Sequence, residues 1–147
     1  MTPTLFGRIQ TRLFLVATVG VVWTLVIGPA IRPLVDDADL GDIYRLAFGA
    51  LTLVAGVGVA WEFVYHGLQQ FRWEKDWPTL LGLLTGIPEG VVVYLLLSRG
   101  LPWDVGDVPV DAFLVHFTTT WIVIWLVANG PMRVLFIRWR FRGGRLV

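Results

Sequence analysis

Cysteine is absent from the 147 residues of this chain, serine occurs once, and charged residues make up only 16% of the sequence. The absence of cysteine excludes disulfides, thiolate metal ligands and cysteine nucleophiles. The sequence also has no phosphate-binding glycine-rich loop, no serine-hydrolase elbow and no paired-histidine zinc motif. We therefore expect a non-enzymatic protein with no cofactor and no metal.

Apolar residues are abundant instead, at 56% of the chain, and the mean hydropathy is +0.69. Four segments reach the length of about 20 apolar residues that a membrane-spanning helix needs. These segments are Leu13–Ile31, Leu46–His66, Thr79–Ser98 and Ala112–Asn129. The sequence predicts an all-α integral membrane protein with a single four-helix transmembrane domain over residues 1–147. We expect the first span to remain uncleaved, because no signal-peptidase pattern follows it.

Basic residues are concentrated before the first span, between the second and third spans, and after the fourth. These positions are Arg8, Arg12, Arg72, Lys75, Arg133, Arg138, Arg140, Arg142 and Arg145. The other two connections are short and rich in aspartate. Their aspartates are Asp36, Asp37, Asp39, Asp42, Asp104, Asp107 and Asp111. Since Lys and Arg favour the cytoplasmic side, we expect cytoplasmic termini, acidic outer loops and a location in a bacterial plasma membrane.

The third span carries a carboxylate, Glu89, near its centre. A charge at that depth costs roughly 3 kcal/mol on insertion scales. Pro88 precedes it and is expected to loosen the helix one turn back and free a carbonyl. Two interpretations remain open. Glu89 is either a protonatable or ion-coordinating group, or a residue that locks helix packing or holds a partner subunit, and the second is favoured for so small a chain.

Three further polar residues lie within the predicted spans. Glu62 and His66, four apart on one helix face, can bond to each other or to the Gln69–Gln70 segment, bind a metal, or relay protons. His116 is expected to bond to a hydroxyl or carbonyl group. A helical rise of 1.5 Å per residue staggers Glu62, Glu89 and His116 by roughly 6–10 Å per step. That stagger argues against a compact metal site and leaves a proton relay as the alternative.

Small residues form two candidate packing faces. A glycine stripe in the third span consists of Gly82, Gly86 and Gly90, and a small-residue face in the second span consists of Gly49, Thr52, Gly56 and Ala60. Such faces let the backbone of another helix approach closely. The tryptophans of the fourth span, Trp121 and Trp125, are expected to pack or to face lipid.

The segment 131–147 forms a basic tail in which arginines alternate with aromatic residues. That alternation favours an interfacial segment over a regular amphipathic helix, with Trp139 and Phe141 at the headgroup boundary. The arginines expected to contact anionic lipid are Arg133, Arg138, Arg140 and Arg142, together with Arg72 and Lys75 of the second connection. Docking of a peripheral protein is the alternative, and nucleic-acid binding is not expected.

These patterns favour a non-catalytic subunit that scaffolds or stabilises a larger membrane complex through its glycine-lined faces. Its expected partners are membrane lipids and other membrane subunits or further copies of the chain. The competing hypothesis is a small oligomeric transporter or channel for ions or protons, with Glu89 as its intramembrane carboxylate.

Overall fold

The computed structural model describes residues 4–36, 38–71 and 79–147. Within those residues the regular structure is helical. The elements in chain order are α1 (Leu5–Leu15), a π-helical turn (Val16–Gly20), α2 (Val21–Ile31), a 3-10 turn (Arg32–Leu34), α3 (Leu40–Gln70), α4 (Thr79–Leu84), α5 (Gly86–Leu97), α6 (Val110–Asn129), α7 (Pro131–Leu135) and α8 (Ile137–Phe141). The predicted all-helical architecture is confirmed.

Four helical stretches in the described part of the chain are long and apolar enough to cross a membrane. They are Leu5–Leu34, Leu40–Gln70, Thr79–Leu97 and Val110–Leu135. Large apolar side chains on them stay exposed in the isolated chain, among them Val22 at 62% and Ile87 at 66%. Extensive exposed apolar surface is typical of a membrane or protein interface. The four stretches indicate a multi-pass membrane protein, as the sequence predicts.

The first span begins about two turns earlier than predicted. Thr4 caps it, because its hydroxyl accepts a hydrogen bond from the Gly7 N–H at 3.1 Å, and α1 begins at Leu5. Arg8 and Arg12 were expected to precede the span. Both lie inside it.

Two prolines affect the helices differently. The helix of the first span continues through Pro29 and ends at Ile31, which is the predicted end of that span. In the third span the α-helix is interrupted at Thr85, three residues before Pro88. Proline has no N–H to donate to the carbonyl four residues earlier. The break therefore falls where the proline predicts a loosened turn.

Consecutive spans run antiparallel. Tyr44, near the start of α3, donates to the Leu25 carbonyl of α2 at 3.0 Å, whereas Gln69, at the other end of α3, accepts from Arg8 of α1. The largest core cluster lies between the four spans and consists of Val16, Leu46, Ala50, Leu51, Val54, Val93, Leu97, Val108, Phe113 and Phe117.

The beginning of the first helix and the end of the tail meet at one end of the bundle, called the terminal end here. The Thr4 N–H donates to the Gly143 carbonyl at 2.8 Å. Gly143 adopts a φ of +63°, a conformation that favours glycine. A side chain on Gly7 would collide with the same carbonyl oxygen, so glycine is required for this close approach.

Candidate functional site

Two arginines of α1 reach the bundle interior at the terminal end. Arg12 donates from Nε to Oε1 of Glu62 at 2.9 Å and from Nη1 to Oε1 of Glu89 at 2.5 Å. Arg8, one turn earlier on the same helix, donates from Nε to Oε2 of Glu62 at 2.7 Å. It also donates from Nη1 to Oε1 of Gln69 at 3.0 Å. We call Arg8, Arg12, Glu62 and Glu89 the ion network, and it joins three spans.

The ion network accounts for the carboxylate in the third span. The Glu89 side chain is 0% exposed, and that of Arg12 is 11% exposed. Two guanidiniums face two carboxylates, so the formal charges of the network sum to zero. The planar fork of arginine can bind two acids at once, which a lysine ammonium does with less directional specificity. The Arg12 Cζ also lies 5.6 Å from the centre of the Trp121 ring, within the range of a cation–π contact.

Gly58 of α3 makes the room that Arg12 needs. A Cβ atom at Gly58 would collide with the guanidinium and would lie 2.8 Å from Cδ of Arg12. Gly56, two residues earlier, has nothing within 4 Å of the same hypothetical atom. The spacing of small residues in the sequence predicted a packing role for Gly56 and none for Gly58. The missed signal was a second glycine, one turn before Glu62, on the helix that carries this acid.

A bond between Glu62 and His66, one of the predicted alternatives, is absent from the described hydrogen bonds. Both carboxylate oxygens of Glu62 accept from arginines of α1 instead. His66 is half-buried, and its Nδ1 has no hydrogen-bond partner among the described residues. Neither Arg8 nor Arg12 was identified from the sequence as a partner of these acids. Proton transfer or partner contact through Glu62 and His66 stays a prediction.

His116 lies buried near the opposite end of the fourth span. Its Nε2 and the Thr24 hydroxyl are 2.9 Å apart, so the expected bond to a hydroxyl is present, with a partner from the first span. Nδ1 of His116 and the hydroxyl of Thr120 are buried without partners in the described part of the chain. Among the described hydrogen bonds none joins His116 to Glu62 or Glu89, so the structure supplies no direct relay between them.

The glycine stripe packs against aromatic rings of the same chain. A Cβ at Gly86 would lie 2.5 Å from Nε1 of Trp121, and one at Gly90 would lie 2.7 Å from the Phe117 ring. Gly82 faces Trp125 at 3.9 Å. The glycines therefore make a close contact, as predicted. The contacting groups are aromatic rings of α6, whereas the backbone of another helix was expected.

Indole groups also satisfy backbone carbonyls near the break in the third span. Trp121 donates to the Leu83 carbonyl at 3.1 Å, and Trp125 donates to the Thr79 carbonyl at 3.0 Å. The Tyr65 hydroxyl donates to the Thr85 carbonyl at 3.3 Å. Helix-breaking positions are tolerated in membrane helices when neighbouring side chains supply such bonds.

The small-residue face of α3 divides into two parts. Gly49 is buried, and a Cβ there would lie 3.1 Å from the Leu97 side chain. Thr52, Gly56 and Ala60 are exposed on the outside of the bundle. The second part makes no close contact through Gly56 within the described chain, and its predicted role in packing against a partner stays a prediction.

The basic tail is folded as two five-residue helices, α7 and α8, that are separated at Phe136, so it is not one regular amphipathic helix. Its interfacial position stays a prediction. Trp139, predicted at the headgroup boundary, is 7% exposed and donates from Nε1 to the Thr11 hydroxyl at 2.6 Å. Phe141 remains 79% exposed. The predicted lipid-contacting arginines of the tail, Arg133, Arg138, Arg140 and Arg142, are all exposed. Arg72 and Lys75 lie outside the described residues.

No group of three histidine, aspartate or glutamate side chains among the described residues could hold a metal ion. Comparison with protein-family models, with curated proteins and with solved structures found no match to this chain. A function for this chain is therefore proposed from the geometry of the site alone.

Proposed function

We propose that this chain is a non-catalytic membrane subunit that scaffolds or stabilises a larger membrane protein complex. The observation that supports this role is the pairing of Glu89 with Arg12 inside one chain. A buried carboxylate that binds a guanidinium from another span holds the two helices together, and removal of the guanidinium would leave that carboxylate buried without a compensating charge. The ion network thus favours a structural lock over an ion-carrying site.

The outward part of the small-residue face is the proposed contact with a partner subunit. Thr52, Gly56 and Ala60 are exposed on a span whose other faces pack against the chain's own helices. Small side chains at such positions allow van der Waals contact between backbones, which stabilises helix pairs in membranes where the hydrophobic effect between helices is weak. Phe63 and Val64, exposed at 57% and 46%, continue the exposed surface of the same span past Ala60.

Purification in a mild detergent tests the proposal. We expect unrelated membrane subunits to co-purify with the chain in a fixed ratio. Gly56→Leu should release them while the isolated variant keeps the melting temperature of the wild type, because its added side chain points into open space. Val92→Leu in the third span is the matched control. Recovery of the chain as a monomer or only as a homo-oligomer would overturn the proposal.

We also propose that both termini lie in the cytoplasm and that the membrane is a bacterial plasma membrane. The support is the concentration of exposed arginine in the tail at the terminal end, at Arg133, Arg138, Arg140 and Arg142. Reporter fusions at Val147 and at Asp107 distinguish the two orientations. The Val147 fusion should be active only with a cytoplasmic reporter, and the Asp107 fusion only with an external one; the reverse pattern contradicts the assignment.

A second candidate, a proton- or ion-coupled transporter, is favoured by one observation. Oε2 of Glu89 is buried and has no hydrogen-bond partner among the described residues. A free carboxylate oxygen could take a proton or a cation. Flux through liposomes that contain the purified chain would support this function if Glu89→Gln abolished it while leaving the fold intact. Absence of flux from the wild type would exclude it under those conditions.

A further inference from the structure

A cavity of about 500 Å³ lies at the terminal end, between α1, α4, α6 and the tail. The side chains that line it change from polar to apolar along its depth. Its polar lining consists of Arg8, Thr11, Arg12, Glu62, Thr79, Asn129, Arg133 and Arg140, and its apolar lining includes Val16, Val54, Ile124 and Ala128. Arg8 and Val16 are eight residues apart on the first span, a rise of about 12 Å.

Positive charge exceeds negative charge around this cavity. Four arginines line it, whereas the acids of its described surroundings are Glu62 in the lining and Glu89 on the far side of Arg12. The formal sum is four positive charges minus two negative charges, or +2. An anion would balance the excess.

Donor groups remain available for that anion. The described hydrogen bonds of Arg8 and Arg12 to the acids and to Gln69 use Nε and Nη1 of each guanidinium. No described hydrogen bond uses Nη2 of either residue. Arg140 of α8 also lines the cavity. A guanidinium fork matches the oxygens of a phosphate group.

We propose that this cavity binds the phosphate-bearing headgroup of an anionic membrane lipid. The four arginines receive the phosphate, and the first acyl carbons lie against Val16, Val54 and Ile124. The apolar inner part of the cavity favours a lipid over free phosphate, and its volume is within the range of about 300–1,000 Å³ that is common for ligand pockets. This inference does not depend on the proposed scaffold function, since a bound lipid is compatible with either candidate.

Lipid binding to the purified full-length chain tests the inference. The probes are phosphatidylglycerol, phosphatidylcholine and glycerol phosphate, measured by native mass spectrometry across a concentration series. The cavity variant is Arg133→Gln with Arg140→Gln. The matched control is Arg138→Gln with Arg142→Gln, which removes the same charge from tail residues that do not line the cavity.

We expect the wild type to prefer phosphatidylglycerol over phosphatidylcholine. The cavity variant should lose at least about tenfold in affinity for phosphatidylglycerol, and the control should lose less than about threefold. Equal losses would mean that the tail attracts anionic lipid without a defined site, and would overturn the inference. Binding of glycerol phosphate as tight as that of the lipid would assign the cavity to a soluble phosphate instead.

A charge-neutral variant provides an independent measurement. A Cβ at Gly82, which lines the cavity, would lie 3.9 Å from the Trp125 ring, an ordinary contact distance. We therefore expect the Gly82→Leu side chain to fill part of the cavity. We expect this variant to lose phosphatidylglycerol while keeping its melting temperature. Retention of the lipid at wild-type affinity would show that the lipid lies elsewhere.

Discussion

The two ends of this bundle bury polar groups in different ways. At the terminal end, Arg12 binds Glu62 and Glu89 in a network of full charges. Toward the opposite end, His116 and Thr24 form a hydrogen bond between an imidazole and a hydroxyl. Both arrangements join the first span to later ones. The comparison indicates that two polar contacts between helices can contribute very different amounts to the stability of the fold.

The difference lies in what remains when one partner is removed. Loss of a partner from a buried ion pair leaves an uncompensated charge, which costs about 3–5 kcal/mol. A hydrogen bond between membrane helices contributes only about 0.6 kcal/mol on average, and removal of one partner leaves no net charge. The terminal end should therefore dominate the stability of the bundle.

Arg12→Leu should have the largest effect, because it leaves two acids with a single guanidinium. We expect the free energy of unfolding in detergent to fall by about 3–5 kcal/mol. Arg12→Leu combined with Glu89→Gln should recover part of that loss, because Glu62 keeps Arg8 as a partner. Equal stability of the single and double variants would show that Glu89 does not depend on Arg12.

Gly86→Leu tests the packing between the two ends. Its side chain would enter the space of the Trp121 ring, and overpacking of this kind costs about 1–3 kcal/mol. We expect a lower melting temperature and a lower protein level in the membrane. Val92→Leu, on the same helix, should behave like the wild type. Normal stability of the glycine variant would contradict the observed contact with α6.

Gly58→Ala and Gly56→Ala form a matched pair that sharpens the comparison within one helix. The methyl group at Gly58 would displace Arg12, whereas the methyl group at Gly56 meets open space. We expect a loss of roughly 1–2 kcal/mol in the free energy of unfolding for the first, in the range of local overpacking. The second should be neutral within error. Similar values for the two variants would argue against the observed position of the guanidinium.

Among the substitutions that remove a contact, Thr24→Val should have the smallest effect. It removes the hydroxyl from His116 without leaving a charge, and we expect a loss of about 0.6–2 kcal/mol. Equilibrium unfolding of the same preparations gives the comparison directly. A loss as large as that of Arg12→Leu would contradict the inference that the terminal end dominates the stability of the bundle.

Local pattern was sufficient to predict the four spans, because about 20 apolar residues in sequence carry that information. The same local pattern misplaced the start of the first span. Two arginines before an apolar run resemble an interfacial anchor, and their acidic partners lie 50 and 77 residues further along the chain from Arg12. No short window of sequence contains both members of such a pair.

The glycine stripe shows an intermediate case. Its spacing of four was visible in the sequence, as was the same spacing of Phe117, Trp121 and Trp125 in the fourth span. The contact between the two rows requires antiparallel neighbouring helices in one register. Spacing alone indicated that something packs on the glycines, but it did not distinguish a helix backbone from aromatic rings.

The members of the ion network are synthesised at different times. Arg12 is synthesised before either acid that it binds, by 50 residues for Glu62 and 77 for Glu89. At about 5–20 residues per second, roughly 3 to 10 seconds separate the arginine from its first acid and about 4 to 15 seconds from its second. During the first interval Arg12 has neither of the two acids that it binds in the folded chain. The complete ion network therefore forms only after the third helix has been made.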